Sequence, residues 1–216
     1  MRITALQPQA NNAERVNVFV DGQFLLAVHA LLIYELDLQV EQELTDGQLA
    51  RLRYEEELQQ AVDRALRFLA VRPRSRAEVR RYLHRKGTTA ELIETAIERL
   101  EQLKLLDDRD FASFWVETRE RASPRGALAL RNELRLKGVQ RDVVEEVVSD
   151  EQDDERALQA ARKKAIMLTG QPGMDYATFQ RRLGSFLRRR GFGYNIASRT
   201  VRTLWNELRE EDVDPL

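Results

Sequence analysis

The first fifty residues are patterned unlike the rest of the chain. Val16-Asn17-Val18-Phe19-Val20 and Phe24-Leu25-Leu26-Ala27-Val28 flank Asp21-Gly22. Asp-Gly between β-prone runs predicts a hairpin, because both turn residues accept positive φ. Ile3–Gln7 predicts a third strand, with the polar stretch Pro8–Glu14 as its loop. Three strands with one apolar face need a partner to cover them, and the apolar segment Ala30–Leu36 is placed to do so. Thr45 or Asp46 caps a short helix around Gly47–Arg53, followed by a long helix from about Glu55 to Ala70.

From there the chain repeats itself. RYLHRKG (81–87), NELRLKG (132–138) and SFLRRRG (185–191) each read as a helix ending in basic residues and then a glycine. Leu83, Leu134 and Leu187 stand four residues before the glycines Gly87, Gly138 and Gly191, with Val79, Leu130 and Leu183 another turn back on the same face. Beyond each glycine a second amphipathic segment carries Leu92, Ala96, Ile97, then Val143, Val147, Val148, then Ile196, Thr200, Val201. A glycine C-cap permits the left-handed turn between the two helices. With Leu58–Ala70, Phe111–Arg119 and Glu155–Leu168 as preceding helices, the unit is a three-helix module. Ser75, with Glu78 three residues on, forms a capping box for the second helix of the first module.

The predicted fold is therefore mainly α: three tandem three-helix modules in an elongated, curved array, with a small N-terminal β-hairpin/α extension. The divisions are 1–54 for the extension, a separate lobe, then 55–108, 109–151 and 152–216 for the modules.

Composition sharpens this picture. Charged residues make up 33% and aromatics 7% of 216 residues, which suits helices with long solvated faces. There is no cysteine, so disulfides and thiolate chemistry are excluded. The opening MRITALQPQANN lacks the apolar core of a signal peptide, and Leu25–Leu38 is interrupted by His29, Glu35 and Asp37, so the expectation is a cytoplasmic protein with no membrane partner. Net charge is −1, yet the charges are segregated. Arg64–Lys86 holds nine basic residues against Glu78 alone, and Arg181–Arg202 holds seven against no acid. Segregation gives local basic fields in a neutral whole.

The candidate binding residues follow those fields. In the first module they are Arg72, Arg74, Arg76, Arg80, Arg81, Arg85 and Lys86; in the second Arg125, Arg131, Arg135 and Lys137; in the third Arg182, Arg188, Arg189 and Arg190. Guanidinium groups on helices and turns suit phosphate oxygens. Solvated helix faces or contacts to an acidic protein surface are the competing readings. Trp115, with Phe111 and Phe114 on one helix face, is read as module core, whereas Tyr82 points off the core face and is the better candidate base stacker. His29 and His84 have no spaced partner for a metal. Asp107–Asp110 is read as a helix cap, and the acid run Asp150–Glu155 as a solvated linker between modules. A hydrolase built on these acids would lack a paired His, Cys or Lys, and no P-loop is present, so neither catalytic residue, metal nor cofactor is expected.

The residues ALRFLAVRPRSRAEVRRYLHRKG (65–87), LKLLDDRDFASFW (103–115) and ELRLKGV (133–139) resemble signatures of the RecX family of regulatory proteins. The resemblance covers roughly residues 55–216, and the N-terminal hairpin is similar to an extension carried by some members. It implies tandem three-helix modules that bind RecA filaments on single-stranded DNA, lie along the filament groove, and inhibit recombinase, ATPase and coprotease activities. It implies a non-catalytic monomer that acts in DNA repair and the SOS response; a general DNA-binding helical repeat with no RecA partner is the alternative. Ala127 and Ala129 depart from the family pattern, standing where basic character is expected, and Gly193, Asn195 and Thr200 predict a poor start for the last helix.

Overall fold

A computed structural model describes residues 1–210. Two units divide the chain: Met1–Arg72 with Val79–Leu106, and Pro73–Glu78 with Asp107 onward.

The first unit opens with the antiparallel sheet β1 (Ile3–Gln9), β2 (Asn12–Val20) and β3 (Gln23–His29), in that order. Asp21 and Gly22 both take positive φ, 49° and 81°, as a two-residue hairpin turn requires. Pairing of Val16 with Val28 and Val18 with Leu26 sets the register. Ile3, Val18, Val20 and Val28 are buried with Leu32 of α1 (Ala30–Glu35), so the apolar segment after the hairpin covers the sheet as expected.

α2 (Asp46–Leu69) is one helix, not two. Its start carries a full capping box between Thr45 and Gln48. Arg53-Tyr54-Glu55 contains no helix breaker, and cores grip the helix on both sides of it. Leu52 belongs to the core under the sheet; Leu58, Ala61, Val62 and Ala65 belong to the next. That second core is closed by Val79 and Leu83 of α3 (Arg76–Arg85) and by Ile93, Ala96, Ile97 and Leu100 of α4 (Ala90–Gln102).

The second unit contains two further three-helix cores. One gathers Phe111 and Ala112 of α5 (Asp108–Ala122), Leu130 and Leu134 of α6 (Ala127–Leu136), and Val144 of α7 (Arg141–Val147). The other gathers Ala161 and Ala165 of α8 (Asp153–Thr169), Phe179, Leu183 and Leu187 of α9 (Tyr176–Arg189), and Val201 and Leu204 of α10 (Tyr194–Glu210). The last helix forms despite its weak opening residues, because its apolar face is buried against both partners.

Each turn glycine closes its helix identically. Gly87, Gly138 and Gly191 have φ of 80°, 85° and 84°. The amides of Thr88, Val139 and Phe192 reach back to the carbonyls of Leu83, Leu134 and Leu187 at 3.1–3.2 Å, the Schellman closure.

Within the second unit, two joints share one design. At the first, Ser75 Oγ donates to the Lys137 carbonyl at 2.7 Å and Asp108 accepts from the Arg76 amide at 2.8 Å. At the second, the Gly126 amide donates to the Arg190 carbonyl at 3.0 Å and Asp153 accepts from the Ala127 amide at 2.9 Å. Ser75 and Gly126 both stand twelve residues before their turn glycines, and Lys137 and Arg190 one before theirs. A Cβ on Gly138 would collide with Ala77, and one on Gly191 with Ala129. Close backbone approach, as well as the left-handed turn, thus requires glycine at these two positions.

Candidate nucleic-acid interface

The outward face of α3 is set by its inward one. Val79 and Leu83 are fully buried, so Arg81, His84 and Arg85 are exposed on other sides of the helix. Lys86 is exposed at the helix end, its ammonium 5.9 Å from the centre of the Tyr82 ring. Arg80 lies half-buried across the groove between α3 and α4 and makes two 2.6 Å hydrogen bonds to the Glu94 carboxylate. Arg80, Arg81, His84 and Arg85 line that groove, about 420 Å³, above Ala90 and Ile93. Arg72, Arg74 and Arg76 are half-buried and engaged with neighbours.

In the second unit most of the predicted cations hold the molecule together. Arg125 lies 3.7 Å from Glu133, which also accepts from Trp115 Nε1 at 2.9 Å and Arg119 Nε at 2.7 Å. Arg131 forks onto Asp150 at 2.8 and 3.0 Å and approaches Glu145 at 2.8 Å. The Asp150 hydrogen bond holds the Arg131 guanidinium above its ordinary range, and Arg131 holds Asp150 below the usual carboxylate range. Arg135 pairs with Glu145 on the surface. Lys137 pairs with Glu78 at 2.9 Å and sits 4.7 Å from the Trp115 ring. Arg190 reaches Ser123 Oγ at 3.2 Å and the Pro124 carbonyl at 3.3 Å while lying over Phe186; burial lowers its pKa. Arg182 is exposed and donates to Gln171, and Arg188 and Arg189 are exposed on α9.

Two sequence expectations change. Tyr82 is no free base stacker: it lies flat on Phe68, ring centres 4.2 Å apart and 7° from parallel. The run from Asp150 is no simple solvated linker, because Asp150 grips Arg131 and Asp153 is 3% exposed. Burial raises the Asp153 carboxyl above its ordinary range although the Ala127 amide and Arg156 favour its charge. Ala127 and Ala129 are small for a reason, since the first is buried at a joint and the second meets Gly191. Other readings match the geometry. Trp115 packs on Phe111 against the second-module core, and Asp107 caps α5. His29 caps α1 through Nδ1. Among the described residues no group of three His, Asp or Glu side chains is placed to hold a metal ion, and no helix is long and apolar enough to cross a membrane.

Family models match three stretches: the regulatory protein RecX N-terminal domain at residues 1–45, the RecX first three-helix domain at 61–100, and the second three-helix domain at 107–148. The regulatory protein RecX of Clostridium botulinum (strain Alaska E43 / Type E3) is 31% identical over 208 residues, covering 95% of this chain and 97% of its own. The chain belongs to the RecX family. The regulatory protein RecX of Prosthecochloris aestuarii is 39% identical over 148 residues, 68% of this chain and 93% of that one. A crystal structure of a regulatory protein RecX superposes with a TM-score of 0.76 at 22% identity, over 90% of this chain and 96% of that one, which shows the shared fold. The RecX match includes the hairpin lobe as well as the helical repeats.

Sequence periodicity left two features of this chain unseen. Lys164 and Arg181, outside the predicted set, line a basic cleft with Arg182 and Arg189. Tyr194 opens α10 with its side chain exposed. The exposed ring had no signal beyond its place three residues after the turn glycine.

Proposed function

We propose that this protein is a non-catalytic regulator of RecA, binding filaments of RecA on single-stranded DNA and inhibiting recombinase, ATPase and coprotease activities. Family membership supports the regulatory part. The observation that carries the filament part is the exposed basic face of α3, where Arg81, Arg85 and Lys86 stand clear of the module core, echoed on α9 by Arg188 and Arg189. Cations presented on rigid helices suit a phosphate backbone. In this reading the lobe at 1–54 and the modules at 55–108, 109–151 and 152–216 act as linked docking units of a cytoplasmic monomer. Linkage gives avidity to contacts that are individually weak.

The test is RecA ATPase on single-stranded DNA. Substoichiometric protein added to preformed filaments slows hydrolysis and shortens the filaments. No effect at a one-to-one ratio removes RecA regulation as the function. A RecA pull-down separates this reading from a DNA-binding repeat that has no RecA partner.

A further inference from the structure

The positions seven before and seven after each turn glycine lie across the groove between a module's second and third helices. In the first module they are Arg80 and Glu94, joined by two 2.6 Å hydrogen bonds. In the second they are Arg131 and Glu145, 2.8 Å apart. In the third they are Gly184 and Ser198, which cannot form such a bridge. The groove between α9 and α10 is left unbridged, a cleft of about 150 Å³ floored by Ala197 and Val201. Arg181, Ser185, Arg188 and Tyr194 line its walls.

The lining has a consistent chemistry. Tyr194 takes the position that Ala90 holds in the first module, and it is 70% exposed. Neither Arg181 nor Arg188 lies within ion-pair distance of a described acid, although Arg181 is near enough to Asp175 to favour its charge, and no acid lines the cleft. Ser185 and Ser198 bring hydroxyls that both donate and accept. The cleft is below the roughly 300 Å³ of an ordinary drug-sized pocket and suits one flat heterocycle. Arg181 and Ser185 also line the neighbouring cleft of about 360 Å³ between α8 and α9, where Lys164, Arg182 and Arg189 add three more cations. A ring beside an uncovered tyrosine, next to a cationic trough, is how nucleic-acid single strands are held without sequence readout.

We propose that the third module holds one nucleotide of a single DNA strand, its base laid on Tyr194 in the α9–α10 cleft and its flanking phosphates beside Arg181 in the α8–α9 cleft. This rests on the single-stranded-DNA reading above and adds a base contact to a phosphate contact. A duplex base, paired and stacked, cannot enter without being flipped out, so the site favours single strands.

The test compares fluorescein-labelled oligothymidylate with an abasic strand of the same length, by anisotropy on the full chain. The wild-type protein binds oligothymidylate tighter by about fivefold or more, the range of one base–aromatic stack. Tyr194→Ala erases that difference. Tyr34→Ala, removing an 87% exposed ring in the N-terminal lobe, leaves the difference intact. Equal wild-type affinity for the two strands, or a Tyr194→Ala protein that still prefers oligothymidylate, overturns the base site while leaving phosphate binding standing. Absence of binding to both strands removes the single-stranded-DNA reading with it.

Discussion

The wholly buried Ser75 hydroxyl donates 2.7 Å to the carbonyl of Lys137, 62 residues away, and accepts from the Glu78 amide at 3.1 Å. One side chain thereby caps a helix and ties a joint. At the equivalent second joint the main chain of Gly126 makes the tie to Arg190, and Asp153 supplies the carboxylate that Asp108 supplies at the first. The repeated motif is therefore a contact as much as a fold.

Ser75→Ala loses a cap and leaves a carbonyl without its donor, at a cost of about 2–3 kcal/mol in urea unfolding. Gly87→Ala meets open space and bears only the left-handed backbone penalty, about 1 kcal/mol. Gly138→Ala and Gly191→Ala add a collision at the joints, a further ~1–3 kcal/mol. Equal costs for all three glycines would show that the joints do not depend on close approach.

Acidification separates two neighbouring carboxylates. Asp150 is lowered by its hydrogen bond from Arg131, so it contributes stability above its unfolded pKa that is lost as pH falls through the folded one. Asp153 is raised by burial, so the folded state takes up its proton first and stability falls as pH rises between the two values. Asp150→Asn should therefore lose less stability than wild type between pH ~7 and pH ~3, and Asp153→Asn should lose more. Parallel chemical-denaturation curves at both pH values check the opposite signs.

The lobe and the first helical core share α2 through a buried pair. Glu56, 4% exposed, pairs with Arg15 of β2 and also accepts from the His29 amide at 2.8 Å. Arg15→Ala leaves a buried carboxylate short of its cation and costs on the order of 3 kcal/mol; Arg15→Met with Glu56→Leu recovers only part of it, because the His29 amide then lacks its acceptor. Removal of residues 1–53 takes away Arg15, His29 and the Thr45 capping box together. The remaining chain is expected to melt lower, with the loss concentrated in α2–α4 by hydrogen exchange. Unchanged exchange in those helices would show that the lobe stands apart.

On α3, stability and binding should part company. Leu83→Ala opens a cavity in a fully buried position and costs about 2–5 kcal/mol. Arg81→Glu with Arg85→Glu changes two exposed positions and costs ~1 kcal/mol or less each, yet reverses charge where phosphate is proposed to lie. Binding to single-stranded DNA or to the RecA filament is expected to weaken at least about tenfold at low salt. An arginine variant that melts, binds and inhibits like wild type leaves that face merely solvated.

Local pattern carried most of the architecture. Alternation around Asp21-Gly22 specified the hairpin, and the leucine spacing before Gly87, Gly138 and Gly191 specified which helix faces would be buried. Both signals are short-range, since a side chain's face follows from a period of two or 3.6 residues. The continuity of α2 was less legible because its apolar positions serve two cores in succession.

The fate of the basic residues was decided elsewhere. Lys86, Lys137 and Arg190 occupy one repeat position, yet Lys86 is exposed while the other two help build joints. Arg80 and Arg131 repeat as bridges where the third module has Gly184. Helical periodicity places a side chain relative to its own helix and core. It carries no information about a carboxylate or carbonyl brought near by residues dozens of positions away. Sequence alone thus sufficed for the helices, their buried faces and the repeat, whereas only folding distinguished a cation that holds the protein together from one left facing solvent.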